Sequence, residues 1–162
     1  MGKKATKAVG NMYYDARNEA AEKDEALRSR ESASEIVHVE RTRLANIELG
    51  NIIPYPDEVK TMAKAYNTPE LCNKYCANEC SIGCGTVHEV KIDDFDRLSL
   101  RVLGSLKDID NIRTTLIDIS EDGVIDADEE DDFNEIIEAL DKISENAMAL
   151  KLWAQKNIKI GD

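Results

Sequence analysis

The sequence predicts an all-α protein, and three observations carry that reading. Apolar residues recur at steps of three and four through most of the chain. Aromatic residues make up only 5% of the sequence and charged residues 33%, a balance that suits helical layers better than a β-rich fold. The upstream apolar runs are short, whereas two downstream runs are long and heptad-like, which divides the chain into different kinds of helical structure.

Taken in order, residues 1–11 carry Lys3, Lys4 and Lys7 and no acid, and read as a flexible basic tail. A first helix is expected over residues 12–27, with Tyr13, Ala16, Ala20 and Leu27 on one face. Residues 29–50 read as two short helices joined by a tight turn. Ala33, Ile36 and Val37 space the first, Leu44, Ile47 and Leu49 the second, and Val39 lies between them. Helices this short cannot bury an apolar stripe alone, so they need each other and a third helix.

These residues resemble the Cro/repressor-type (Xre-like) helix-turn-helix family of bacterial and phage transcriptional regulators. Glu35-Ile36-Val37 stands for the family's E-L-L, Val39 for its turn valine, Leu44 for the recognition-helix isoleucine and Ile47-Glu48-Leu49-Gly50 for its I-E-x-G. The match continues through Pro56-Asp57-Glu58-Val59 and from Met62 to Leu71. The chain departs from the pattern at Ser34, at His38 in place of the turn glycine, and at Glu40 in place of a capping serine. His38 therefore implies either a strained turn or one with ordinary dihedrals.

The resemblance implies a five-helix, lambda-repressor-like domain over residues 12–71 that binds double-stranded DNA. It places Glu40, Arg41, Thr42, Arg43 and Asn46 on the helix inserted into the major groove. Arg pairs bidentately with guanine and Asn with adenine, so these residue types suit base reading. Arg28 and Arg30 start the preceding helix, where outward N–H groups and a cation can meet a phosphate. The loop from Asn51 to Pro56 lacks the Lys or Arg that the family often places there. Pro56 opens a fourth helix at its first position, and Thr68 with Pro69 is expected to cap and open a fifth.

Residues 72–91 read as a cysteine-containing linker. Cys72, Cys76, Cys80 and Cys84 fall at intervals of four, continued by His88. Ordinary thiols, a zinc site and a disulfide are the three readings of that spacing; structural zinc usually sits on C-x₂-C turns instead. Residues 92–157 read as a long antiparallel helical hairpin. Its stripes are Phe95, Leu98, Val102, Leu106, Ile109, Ile112, Leu116 and Ile119, then Phe133, Ile136, Ile137, Leu140, Ile143, Ala147, Leu150 and Trp153. One partner helix would not cover either stripe, so the hairpin is expected to dimerise, with residues 158–162 as a tail.

The connection between the two hairpin helices resembles an EF-hand calcium loop. Asp118, Ser120, Asp122, Val124 (by its carbonyl), Asp126 and Glu129 would be the ligands, and Gly123 the sharp turn. The same residues also make a complete helix stop and start, with Gly123 as C-cap and Asp126 with Glu129 as a capping box.

Charge and chemistry bound the function. Through Asn67 eleven Lys/Arg balance eleven Asp/Glu, and the remainder holds ten against twenty-two. The whole excess of −12 therefore lies downstream of the suspected DNA reader, which lowers non-specific affinity for nucleic acid. No nucleophile is paired with a base, no glycine loop cradles a phosphate, and the only histidines are His38 and His88. The sequence thus predicts no enzyme, no small-molecule substrate and no obligatory cofactor. With no apolar run to span a membrane and no apolar signal core, it predicts a cytoplasmic, homodimeric DNA-binding regulator. A protein-interaction module with a degenerate helix-turn-helix, or a calcium-binding protein, are the alternatives.

Overall fold

The computed structural model describes residues 7–120, 123–127 and 129–158, and every regular element among them is helical. No helix of the described residues is long and apolar enough to cross a membrane. The chain divides into two compact units, Met1–Glu89 and Val90–Asp162.

In the first unit Asn11 opens α1 (Met12–Ala20), its side chain accepting from the N–H groups of Tyr13 and Tyr14. The Asn11 amide also donates to the Ile47 carbonyl at 3.1 Å, so this cap ties α1 to a later helix. The helix expected through residue 27 stops at Ala20. Asp24 turns its carboxylate to the Ala26 N–H and starts a separate 3-10 turn, Glu25–Leu27, because a short acidic side chain competes for the backbone donors.

α2 (Arg30–Val37) and α3 (Arg41–Glu48) follow, then α4 (Pro56–Ala65) and α5 (Glu70–Asn78). Pro56 does occupy the first position of α4, and the Tyr55 N–H donates to Glu58 Oε2 at 2.7 Å. Thr68 does not cap α5; it is buried and its hydroxyl donates back to the Tyr66 carbonyl at 3.1 Å. These helices close on one core that includes Tyr13, Ala16, Leu27, Val37, Leu44 and Met62. Ile36, expected inward, is exposed, since Ala33, Val37 and Val39 already fill that side.

The cysteine segment belongs to this unit. Cys72 and Cys76 lie in α5, and both pack with Cys80 against the core, while Cys84 is exposed. Gly83 sits so close to the Cys76 carbonyl that a Cβ would lie 2.1 Å from its oxygen, so only glycine fits there. The Tyr13 hydroxyl donates to Glu79 Oε2 at 2.7 Å and fixes the chain just beyond α5 to α1.

The second unit differs from the expected two-arm hairpin. Its first arm is two helices, α6 (Phe95–Ser105) and α7 (Ile109–Ile119), facing a single α8 (Glu130–Asn157) of 28 residues. Gly104 weakens the helix at the break, and the Ile112 N–H restarts the ladder on the Asp108 carbonyl. Leu98 of α6 packs with Ala149 and Leu152, and Ile112 and Ile119 of α7 pack with Ile136.

Candidate nucleic-acid interface

The α2–turn–α3 segment is capped at the start of both helices. Ser29 caps α2 by accepting from the Ser32 N–H at 3.1 Å. α2 ends at His38, whose φ of 52° and ψ of 37° place a non-glycine residue in the left-handed region. Of the two turns the sequence allows, the strained one is present, at about 1–2 kcal/mol. The His38 and Val39 N–H groups both donate to the Ser34 carbonyl, and Val39 is buried, which holds the turn in place.

Glu40 is the N-cap of α3. Its Oε2 accepts from the Arg43 N–H at 2.9 Å and caps α3. The backbone N–H groups of Thr42 and then Arg43 hold its carboxyl below the ordinary glutamate value. A carboxylate at this helix end also meets the positive end of the dipole.

Beneath the segment lies an ion cluster not among the residues expected from the sequence. Glu48 is fully buried. Arg17 of α1 clamps it from one side through Nε at 2.6 Å and Nη2 at 3.0 Å, and Arg30 of α2 reaches it with Nε at 2.6 Å. Arg17 also donates to the Leu27 and Arg28 carbonyls, which pulls the 3-10 turn over α1. The Tyr14 ring lies 5.7 Å from the Arg17 guanidinium and 6.0 Å from that of Arg30. One carboxylate thus joins three helices. Its signal was present in the spacing, because Arg17 falls one step from Ala16 on the stripe begun by Tyr13, and Glu48 directly follows Ile47.

The expected DNA-contacting residues are distributed unevenly over this scaffold. Arg41 and Thr42 are exposed on the first turn of α3. Arg43 is half-buried and bonded side-on to Glu58, Nε to Oε1 at 2.5 Å and Nη2 to Oε2 at 2.9 Å, with its guanidinium 4.4 Å from the Tyr55 ring centre. This pairing leaves the Nη1 edge as the part of Arg43 able to meet another group. Asn46 is half-buried and accepts from the Asn51 amide at 3.0 Å. Arg30, expected at a phosphate, spends its Nε on Glu48, and Arg28 pairs with Glu25 at 2.9 Å.

The candidate metal residues are not gathered in the same way. The four cysteines carry free thiols, and burial pushes the Cys72 thiol up. Among the described residues no three His, Cys, Asp or Glu side chains stand together as a metal site. In the acidic connection Asp118 lies in α7 and Ser120 ends it, with the Ser120 hydroxyl donating to the Ile117 carbonyl. Gly123 takes a φ of 72°, Val124 follows it, and Asp122 lies outside the described residues. Asp126 and Glu129 exchange backbone-to-carboxylate bonds at 3.2 and 3.3 Å, the capping-box arrangement. Comparison with protein-family models, with curated proteins and with solved structures returned no match.

Proposed function

We propose that this protein is a sequence-specific, double-stranded DNA-binding transcriptional regulator of bacterial or phage type. In this reading the first unit is a lambda-repressor-like helix-turn-helix domain with α3 as the recognition helix, and the second unit makes the protein a homodimer. The observation that carries the reading is the strained, capped α2–turn–α3 segment, anchored from below by Glu48 and presenting Arg41 and Thr42 outward on α3. A short helix fixed at its base with a polar, cationic first turn is what major-groove reading requires. Arg41 and Thr42 read bases directly. Arg43 contributes through its free edge, held steady by Glu58 and Tyr55.

The near-neutral charge of the reader and the acid downstream mean that binding is weak per copy and depends on two half-sites and on low salt. The test is selection of bound sequences from a random DNA pool by the full chain, followed by gel-shift titration at several salt concentrations. Replacing Arg41 by Ala is expected to cost about 1–3 kcal/mol on the selected site and to relax preference at one base position. A pool that yields no common sequence, or a selected site bound equally well by the Arg41→Ala chain, overturns the reading.

A further inference from the structure

We infer that two copies of the chain associate by antiparallel pairing of α8 about a two-fold axis between Ser144 and Ala147. This deepens, and rests on, the reading of the protein as a homodimer.

The argument begins with what α6 and α7 leave uncovered. Ile136, under α7, and Ala149, under α6, are thirteen residues apart in one helix, roughly three and a half turns. The two short helices therefore meet α8 at different heights, with Ile143 beside α7 and Leu150 beside α6 on one face, and a stripe next to that face stays exposed. Ile137, Leu140, Ser144, Ala147 and Met148 lie along it, all exposed, the three large ones at 41, 40 and 40%. From Ile137 the steps of three, four and three to Ala147, with Met148 four beyond Ser144, are the spacing of a helix-pair seam. The small residues Ser144 and Ala147 fall near the middle of α8, where two crossing helices can come closest.

Charge fixes the occupant and its direction. The first twelve residues of α8 hold Glu130, Asp131, Asp132, Glu135, Glu138 and Asp141 and no Lys or Arg. The rest of the helix holds Lys142, Lys151 and Lys156 against Glu145. Parallel pairing would set acid against acid along half the interface. Antiparallel pairing sets the acidic end of each copy beside the basic end of the other, so the helix is complementary to itself. With the axis between Ser144 and Ala147, Lys151 of one copy lies beside Leu140 and Asp141 of the other. Its stem covers the leucine and its ammonium meets the carboxylate. Both residues are exposed, and neither takes part in the described ion pairs of its own chain.

Leu100 and Leu103 of α6 are more exposed still, at 69 and 66%, with Leu106 beside them, but they lie on a helix of eleven residues, which offers a much shorter seam than α8.

The test is sedimentation equilibrium of the full chain without DNA, at micromolar concentration and physiological salt, so that dimer loss and DNA-binding loss are read separately. Lys151→Asp and Asp141→Lys are each expected to raise the dimer dissociation constant roughly tenfold, because each places like charges together at two symmetric points. The double reversal is expected to restore it, with helix content and melting of the monomer unchanged throughout. Carbodiimide cross-linking of mixed isotopically heavy and light chains is expected to join Asp141 of one to Lys151 of the other. A monomeric wild type, a dimer indifferent to both reversals, or a dimer broken by Leu103→Asp instead overturns the assignment.

Discussion

The two units bury apolar surface in contrasting ways. In the first, fifteen buried apolar residues among those described form one continuous core, and a buried carboxylate with two arginines joins α1, α2 and α3 across it. In the second, the buried residues fall into two small clusters of four and three at different stations of α8, and large apolar side chains remain on the outside. The first unit has what it needs to hold a single arrangement of its helices. In the proposed dimer the second unit is the one with apolar surface left for a partner copy to cover.

The largest expected effect that sharpens this contrast is at Glu48. Glu48→Ala leaves the Arg17 and Arg30 charges without their shared counter-charge, and a broken buried pair costs about 3–5 kcal/mol. The corresponding change in the second unit, Arg101→Ala, removes a partly exposed pair with Asp93 and is expected to cost under about 1 kcal/mol. Urea unfolding followed by a probe in each unit separates the two. Similar small losses in both would mean that the carboxylate does not organise the first unit.

A smaller contrast compares two leucines. Leu44 is completely buried, so Leu44→Ala is expected to cost about 2–5 kcal/mol through lost contacts and a cavity. Leu103→Ala removes an exposed side chain from α6 and is expected to stay within about 0.5 kcal/mol. A large loss at Leu103 in thermal melts would show that its face is covered in solution and would move the interface away from α8.

These expectations also show how much of the molecule was legible in the sequence. The all-helical fold, the positions of α2, α3 and α4, and the proline start of α4 follow from apolar spacing and cap chemistry, which are local. The break between α6 and α7 was not legible, because Leu106, Ile109 and Ile112 keep helical spacing across it while the backbone leaves the helix at Leu106–Asp108. α1 was overextended for a related reason, since the capping role of Asp24 depends on where the chain turns next. At the candidate site the positions of Arg41 and Thr42 were readable. The engagement of Arg43 with Glu58, and of Arg30 with Glu48, joins residues fifteen and eighteen apart, which no local pattern reveals.

His38 offers an effect of intermediate size. Glycine accepts a φ of 52° without the Cβ clash, so His38→Gly is expected to stabilise the first unit by roughly 0.5–1 kcal/mol, after its greater freedom in the unfolded chain is counted. The side chain is exposed, and both turn hydrogen bonds come from backbone N–H groups, so neither is lost. Calorimetry of the variant checks this. An unchanged or lowered melting temperature would mean that the histidine makes up for its backbone strain by some contact of its own.

The smallest effect concerns pH and the Arg43–Glu58 pair. The Arg43 guanidinium, and then the Tyr55 N–H, hold the Glu58 carboxyl below its ordinary value of 4.5, against the opposing pull of burial. In the unfolded chain that carboxyl titrates near 4.5. Above this both states are ionised, and the pair contributes in full. As pH falls below 4.5 the unfolded chain takes up the proton first, so the contribution shrinks, and it is gone once the folded carboxyl is protonated as well. Glu58→Gln keeps an acceptor for the Tyr55 N–H but has no such titration. The stability gap between wild type and variant is therefore expected to be flat from neutral pH to about pH 5 and to close below 4.5. Both side chains are partly exposed, which limits the gap to under about 1 kcal/mol. Glu40, whose carboxyl is also held low, titrates in both proteins and cancels from the difference. A gap that persists unchanged into strong acid would show that the ion pair contributes nothing in solution. Arg43 would then be free to meet a base with its whole guanidinium, and the distinction drawn between it and Arg41 would fall.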